Sequence, residues 1–102
     1  MIAVVWSAAA LDDMDSIVAY IAADNRAAAL KVVDKIEATG ERLGQMAIGR
    51  RGRVAGTYEK PVVGLPYIVA YTLETPPNGK ERIVILRVIH MARNWPKGEW
   101  PN

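Results

Sequence analysis

The 102-residue sequence contains no cysteine and only one histidine, His90. The lack of cysteine excludes disulfides, thiolate metal sites and a cysteine nucleophile, and a single histidine excludes a histidine-rich metal site. We therefore expect no bound metal and no cofactor. The first residues do not show the charged region, apolar stretch and cleavage site of a secretory leader, and no apolar run approaches the roughly 18 to 20 residues that a spanning helix needs. We therefore expect a cytoplasmic protein without membrane contact.

The net charge is also small, at +2, but the charged residues are unevenly distributed. Residues 1–41 hold seven acidic and three basic side chains, whereas residues 42–102 hold four acidic and ten basic ones. One stretch without an acid contains four arginines: Arg42, Arg50, Arg51 and Arg53. This stretch is either a positive surface that attracts nucleic acid or an acidic partner, or a solvated loop.

The apolar residues change their spacing along the chain, from strand-like to helical and back to strand-like. Residues 2–6 predict a strand, after which Ser7 can cap a helix that ends near residues 24–25. Asn25 can cap a second helix that packs antiparallel to the first. Three further strands are predicted near residues 52–61, 66–74 and 82–90. The sequence thus predicts one α+β domain over residues 1–102, with an N-terminal strand, an antiparallel helical hairpin and an antiparallel sheet of three to four strands.

The last two predicted strands are apolar on both alternating faces, unlike strands of a sheet that has one face in water. One explanation is that the helices cover one face, while a bent sheet or the C-terminal tail covers the other. The alternative is that a partner protein covers an exposed apolar face. Because only two helices are available, we favour the partner.

The sequence shows no nucleophile constellation and no glycine-rich phosphate loop. Cleavage of RNA without a metal would need a proton acceptor, a proton donor and cations that hold the phosphate. The side chains that could supply these groups are Glu59, His90, Arg50, Arg51, Arg53, Arg87 and Arg93. Any basic sheet domain with one histidine would offer a similar set, so this set alone does not indicate a nuclease.

Arg87 and His90 each allow two interpretations. The alternation of the strand places Arg87 on the same face as apolar neighbours, where its guanidinium needs a hydrogen-bond acceptor. That acceptor is either a carboxylate or phosphate of a partner or, within this chain, Glu59 or an acid of the first helix. His90, at the end of the last strand, is either a displayed general acid or a structural hydrogen-bonding residue. Trp95, near the C-terminus, is expected to fold back over the sheet rather than to stack on a base.

Several short motifs follow one another over nearly the whole chain. They are Val5-Trp6-Ser7 followed by Ala10 and Asp13, then Tyr20-Ile21, Ala28-Ala29, Gly49-Arg50, Gly52-Arg53, Gly56-Thr57-Tyr58-Glu59, Pro66-Tyr67-Ile68-Val69-Ala70-Tyr71, Ile85-Leu86-Arg87-Val88-Ile89-His90, Ala92-Arg93 and Trp95-Pro96. In this order and spacing, the motifs resemble the ParE/RelE superfamily of toxins from bacterial type II toxin–antitoxin pairs. The resemblance implies a toxin that arrests growth and takes part in plasmid stabilisation.

The resemblance also implies a protein partner. In this superfamily a small antitoxin wraps an acidic C-terminal segment around the toxin, and operator DNA is bound only through the antitoxin. The antitoxin contacts implied for this chain lie on the first helix and on the sheet: Met14, Ile17, Val18, Ile21, Tyr67, Val69, Tyr71 and Arg87.

The superfamily divides by target, because ParE-like members inhibit DNA gyrase and RelE-like members cut messenger RNA in the ribosomal A site. The RelE-like pattern places an arginine where this sequence has Ile68, whereas the closing segment resembles ParE-like members. The resemblance therefore favours a gyrase inhibitor without catalysis, with a ribosome-dependent endoribonuclease as the alternative. The implied target contacts are Arg50, Arg51, Arg53, Arg87, His90, Arg93 and Trp95, and a nuclease would use His90, Glu59, Arg87 and Arg93.

Overall fold

The computed structural model describes residues 2–45, 50–52 and 55–92. Its elements are β1 (Ala3–Trp6), α1 (Ala8–Ala22), α2 (Arg26–Arg42), β2 (Arg50–Arg51), β3 (Tyr58–Pro61), β4 (Tyr67–Glu74) and β5 (Arg82–His90). This order confirms the predicted α+β architecture of an N-terminal strand, a helical hairpin and a following sheet.

Both helices begin at the residues that the sequence predicts. The Ser7 side chain accepts a hydrogen bond from the Ala10 amide at 3.0 Å, and the Asn25 side chain accepts one from the Ala28 amide at 3.0 Å. Each bond satisfies an amide that has no partner within its own helix. The two caps therefore fix where α1 and α2 start.

The strands form one sheet in the order β1-β5-β4-β3-β2. Strands β2 to β5 pair in antiparallel fashion, as predicted, and β1 adds to the free edge of β5 in parallel orientation, so the sheet is mixed. The strand predicted over residues 52–61 is shorter than expected and begins at Tyr58. The reason is a turn in which Gly56 has a φ of 81°, a value that favours glycine.

The helical hairpin covers one face of the sheet and forms the main core there. The core side chains come from both helices and from the central strands: Ala10, Met14, Ile36, Leu43, Val62, Tyr67, Val69, Tyr71, Ile83, Ile85 and Val88. Their removal from water is the chief stabilising contribution to the fold.

The opposite face of the sheet is buried as well. Ile68 is 3% exposed, Ala70 0% and Ile89 1%, all within the isolated chain. The favoured explanation of the apolar strands, an exposed sheet face that a partner covers, is therefore wrong. Both faces of the central strands are already covered, which explains why these strands do not alternate between apolar and polar residues.

Trp6 of β1 connects the sheet edge to α2. A Cβ atom on Gly40 would lie only 2.5 Å from Cζ2 of the Trp6 ring, so the missing side chain lets the indole approach the helix. The indole Nε1 donates a hydrogen bond to the Glu41 carboxylate at 3.0 Å. Gly40 lowers the helix propensity of α2, but this packing requires a residue without a side chain at its position.

Candidate functional site

The two residues that the sequence singles out most clearly, Arg87 and His90, both lie on β5. Strand β1 stops at Trp6, so among the described strands none lies beside the second half of β5 on that side. The N-terminal half of α1 takes the place of a strand there. The Ser7 hydroxyl donates to the Leu86 carbonyl at 2.9 Å, and Oδ2 of Asp13 accepts from the Val88 amide at 2.8 Å.

Arg87 is held by the same Asp13 carboxylate. Its Nε donates to Oδ2 and its Nη2 to Oδ1, each at 2.7 Å, which is the two-pronged geometry of a strong arginine–carboxylate pair. The Arg87 and Asp13 side chains are 12% and 14% exposed. The hydrogen bonds from Asp13 raise the pKa of Arg87 above its usual value, while burial acts in the opposite direction.

This geometry decides between the two interpretations of Arg87. The guanidinium has an acceptor in its own chain, and that acceptor is an acid of the first helix rather than Glu59. The expectation that Arg87 shares one face of β5 with its apolar neighbours is wrong here. A β-bulge shifts the pairing between Ala70 and Tyr71 and so changes the alternation of side chains along β5 at this point. The sequence offered an acid of the first helix as a possible acceptor but did not identify it as Asp13, since this contact joins residues 74 apart in the chain.

His90 lies beyond this pair, at the exposed end of β5. Its Nδ1 accepts a hydrogen bond from the Ala92 amide at 3.1 Å, which places the proton of the neutral ring on Nε2. The ring lies edge-on against Tyr67, with 5.3 Å between centroids. Burial raises the pKa of Tyr67, and the nearby Tyr20 raises it further. His90 thus has structural partners on one side and solvent on the other.

Glu59 lies apart from His90. Glu59 is 3% exposed and is paired with Ala70 in the sheet, whereas His90 is paired with Tyr67. Three residues along β4 and two strand spacings separate the two positions, or about 14 Å between Cα atoms. Because the separation along β4 is an odd number of residues, the two side chains also point to opposite faces. They do not form an acid–base pair.

The predicted cationic and aromatic target contacts are only partly within the described residues. Arg50 and Arg51 form β2, where their Cα positions pair with Glu59 and Tyr58. The predictions for Arg53, Arg93 and Trp95 lie outside the described residues.

The antitoxin contacts implied by the resemblance divide into buried and accessible residues. Met14, Tyr67, Val69 and Tyr71 are core residues with at most 8% of their surface exposed, because the helices cover this face of the sheet. In the isolated chain, these four side chains therefore leave little surface for a partner to contact. Ile17, Val18 and Ile21 on α1 are half-buried and remain accessible in part.

A shallow groove between the two helices brings two of the implied antitoxin contacts, Met14 and Val18, together with residues that were not among them. This hairpin groove has a volume of about 250 Å³ and is lined by Trp6, Leu11, Met14, Val18 and Val33, with Asp15 and Glu37 at its rim. Leu11 is 52% exposed although it is a large apolar residue. The regular spacing of Leu11, Met14 and Val18 along α1 was the signal that could have revealed this surface.

The described residues show neither a metal site nor a membrane span. Within residues 2–45, 50–52 and 55–92, no three carboxylate or imidazole side chains are grouped closely enough to hold a metal ion. No helix in the same part of the chain is sufficiently long and apolar to cross a bilayer.

Comparison with known proteins gives consistent results at the level of family, relative and structure. The family described as "ParE toxin of type II toxin-antitoxin system, parDE" matches residues 4–95. The curated protein "Putative toxin Y4kP" of Sinorhizobium fredii is 34% identical over 93 residues, which cover 90% of this chain and 91% of that protein. A solved structure, "Chromosomal ParDE TA system from P. aeruginosa", is similar with a TM-score of 0.76 and 28% identity, covering 88% of this chain and 96% of the other.

Proposed function

Because this chain belongs to the ParE family of toxins from type II toxin–antitoxin systems, we propose that it arrests growth by inhibiting DNA gyrase and that an antitoxin neutralises it. The observation that carries this proposal is the family match over residues 4–95, which spans every helix and strand after the first residue of β1. The toxin would bind gyrase and stabilise its cleaved DNA complex, without catalysis of its own.

The geometry supports a binding protein rather than a nuclease. Cutting RNA without a metal needs a base and an acid on either side of one phosphate. Glu59 and His90 are about 14 Å apart and on opposite faces, and the Arg87 guanidinium is directed at Asp13. These three candidates therefore do not surround a common site.

We infer that the antitoxin contacts the accessible side of α1 and the hairpin groove. Leu11, Val18 and Val33 offer an apolar surface there, and the structure similar to this chain is described as a ParDE system. A helix or extended segment with apolar side chains would bury this surface.

The proposal is tested with purified gyrase and relaxed plasmid DNA. Adding the chain should abolish supercoiling and accumulate linear DNA when the gyrase–DNA complex is denatured, and co-purified antitoxin should reverse both effects. The His90→Ala variant is the matched control, because a binder retains most of its inhibition without this imidazole. Unchanged supercoiling, together with cleavage of messenger RNA on ribosomes, would replace gyrase with the ribosome as the target.

A further inference from the structure

A second and larger groove lies on the other side of α2. It is formed by the C-terminal half of α2, strand β3 and the turn that follows β3, and its volume is about 640 Å³. Leu43 and Val62, which are 2% and 3% exposed, form an apolar floor. Val63 stands at the edge of this floor and is 80% exposed, which is unusual for a valine in a folded chain.

Three cationic side chains line this groove: Lys35, Arg42 and Lys60. Among the described residues, the groove is lined by no acid, and none of the three side chains forms an ion pair or hydrogen bond. A Cβ atom on Gly64 would lie 3.6 Å from the Lys35 Nζ, so this ammonium group lies close to the turn after β3. We call the site formed by these cations, Leu43, Val62 and Val63 the basic groove.

The two grooves on either side of α2 carry opposite charge. Asp15 and Glu37 lie at the hairpin groove, whereas Lys35, Arg42 and Lys60 line the basic groove. A segment that is strongly acidic along its whole length would be repelled by the first groove and attracted by the second. The opposite charges of the two grooves therefore favour a partner whose acidic residues are concentrated in one part of its sequence.

The chemistry of the basic groove indicates a peptide as its occupant. No aromatic ring lines the groove among the described residues, so bases of a nucleic acid would have no stacking surface there. Its buried apolar floor instead fits aliphatic side chains, and its cations fit carboxylates. An acidic peptide with two or three aliphatic residues satisfies both features.

We propose that the basic groove binds an acidic segment of the antitoxin, whose aliphatic side chains contact Leu43 and Val62 and whose carboxylates pair with Lys35, Arg42 and Lys60. The inference rests on the proposed function for its partner. Helix α2 forms a wall of both grooves, with Val33 and Glu37 on one side and Lys35 on the other. A segment that leaves the hairpin groove can therefore reach the basic groove by crossing this one helix.

The first test uses a short fluorescein-labelled peptide in which glutamates surround two leucines, and measures its Kd by fluorescence anisotropy. The variant carries Lys35→Glu and Lys60→Glu, since Arg42 also lies at the C-terminus of α2, where a cation favours the helix. We expect its Kd to rise about ten-fold or more. The matched control, Lys31→Glu with Lys80→Glu, makes the same charge change outside the groove and should leave the Kd nearly unchanged. Equal Kd values in both variants, or no binding to the natural chain, would overturn the proposal.

The second test separates the antitoxin from the target as the source of the acidic segment. Cells expressing the Lys35→Glu/Lys60→Glu variant should still arrest, but more antitoxin should be needed to restore growth than for the Lys31→Glu/Lys80→Glu control. Loss of arrest with unchanged circular dichroism would assign the groove to the target, and equal rescue of both variants would remove it from the antitoxin interface; either result overturns the proposal. Failure of the natural chain to inhibit gyrase would refute the proposed target and leave this comparison intact.

Discussion

Replacing Asp13 with alanine should destabilise the fold more than any other change of a charged residue on α1. The Asp13 carboxylate accepts three hydrogen bonds from β5, two from the Arg87 guanidinium and one from the Val88 amide. Both side chains of the pair are more than four-fifths buried. Removing the carboxylate leaves a buried cation and a buried amide without this acceptor.

The expected loss of stability follows from that geometry. Removing one partner of a buried ion pair lowers the free energy of unfolding by about 3–5 kcal/mol, and the total for domains of this size is only about 5–15 kcal/mol. The neighbouring Asp12→Ala change removes an exposed carboxylate and should alter stability by about 0.5 kcal/mol or less. The double variant Asp13→Ala/Arg87→Ala should be less destabilised than the sum of the single variants, since it no longer buries the Arg87 cation without the Asp13 carboxylate.

The assay is urea unfolding of the purified variants, followed by far-ultraviolet circular dichroism. The four free energies of unfolding, from the natural chain, the two single variants and the double variant, give the coupling between Asp13 and Arg87 directly. An Asp13→Ala loss below about 1 kcal/mol, or single effects that simply add, would show that this pair does not hold α1 against β5.

Three further predictions follow from other contacts. The Gly40→Ala change should destabilise the chain by about 1–3 kcal/mol and alter the fluorescence of Trp6, because the new methyl group would overlap the indole ring; unfolding curves equal to those of the natural chain would contradict this packing. Burial raises the pKa of Tyr67 in the folded state, so folding favours the neutral phenol. This contribution to stability is complete below the pKa of the unfolded chain, and stability should therefore fall as the pH rises above 10. Unfolding experiments between pH 9 and 11 should show a weaker fall for Tyr67→Phe, and identical slopes would remove Tyr67 as the cause. The His90→Ala change should leave growth arrest within about ten-fold of the natural chain, whereas loss of a general acid costs about 100-fold or more, so a complete loss of arrest would indicate catalysis.

The features predicted from the sequence are those that depend on neighbouring residues. Ser7 and Asn25 were identified as caps because a short polar side chain directly precedes a helical pattern. The last strand was predicted over residues 82–90, as observed, because its apolar run is long and rich in β-branched residues.

The features that escaped prediction depend on distant residues. The parallel pairing of β1 with β5 and the identity of Asp13 as the acceptor of Arg87 each depend on segments more than 70 residues apart in the chain, and the bulge in β5 depends on the pairing of β5 with β4. The bulge had the largest effect, since one extra residue altered the alternation on which the interpretation of Arg87 depended. The wrong expectation that a partner covers one sheet face has a related cause, because the alternation of residues along a strand does not reveal what covers the second face of the sheet.

The candidate site was predicted in part. His90 lies at the exposed strand end, as expected, and Arg87 belongs to the same strand. The basic groove escaped prediction, because it is a concavity formed by two elements and has no local motif, whereas the resemblance had already implied antitoxin contacts at Met14 and Val18 of the hairpin groove. The charge difference between the two grooves follows the uneven charge of the sequence only in part, because Lys35 comes from the acidic first part, and only the fold brings the two charges to opposite sides of one helix.

The most direct test of the central claim is a pulse-labelling experiment in cells that express this chain without its antitoxin. Labelled thymidine and labelled methionine are added within minutes of induction, and their incorporation is compared with that in uninduced cells. If the chain inhibits gyrase, thymidine incorporation falls first, and methionine incorporation follows only later. A fall of methionine incorporation before that of thymidine would contradict the account and identify translation as the process that the toxin attacks.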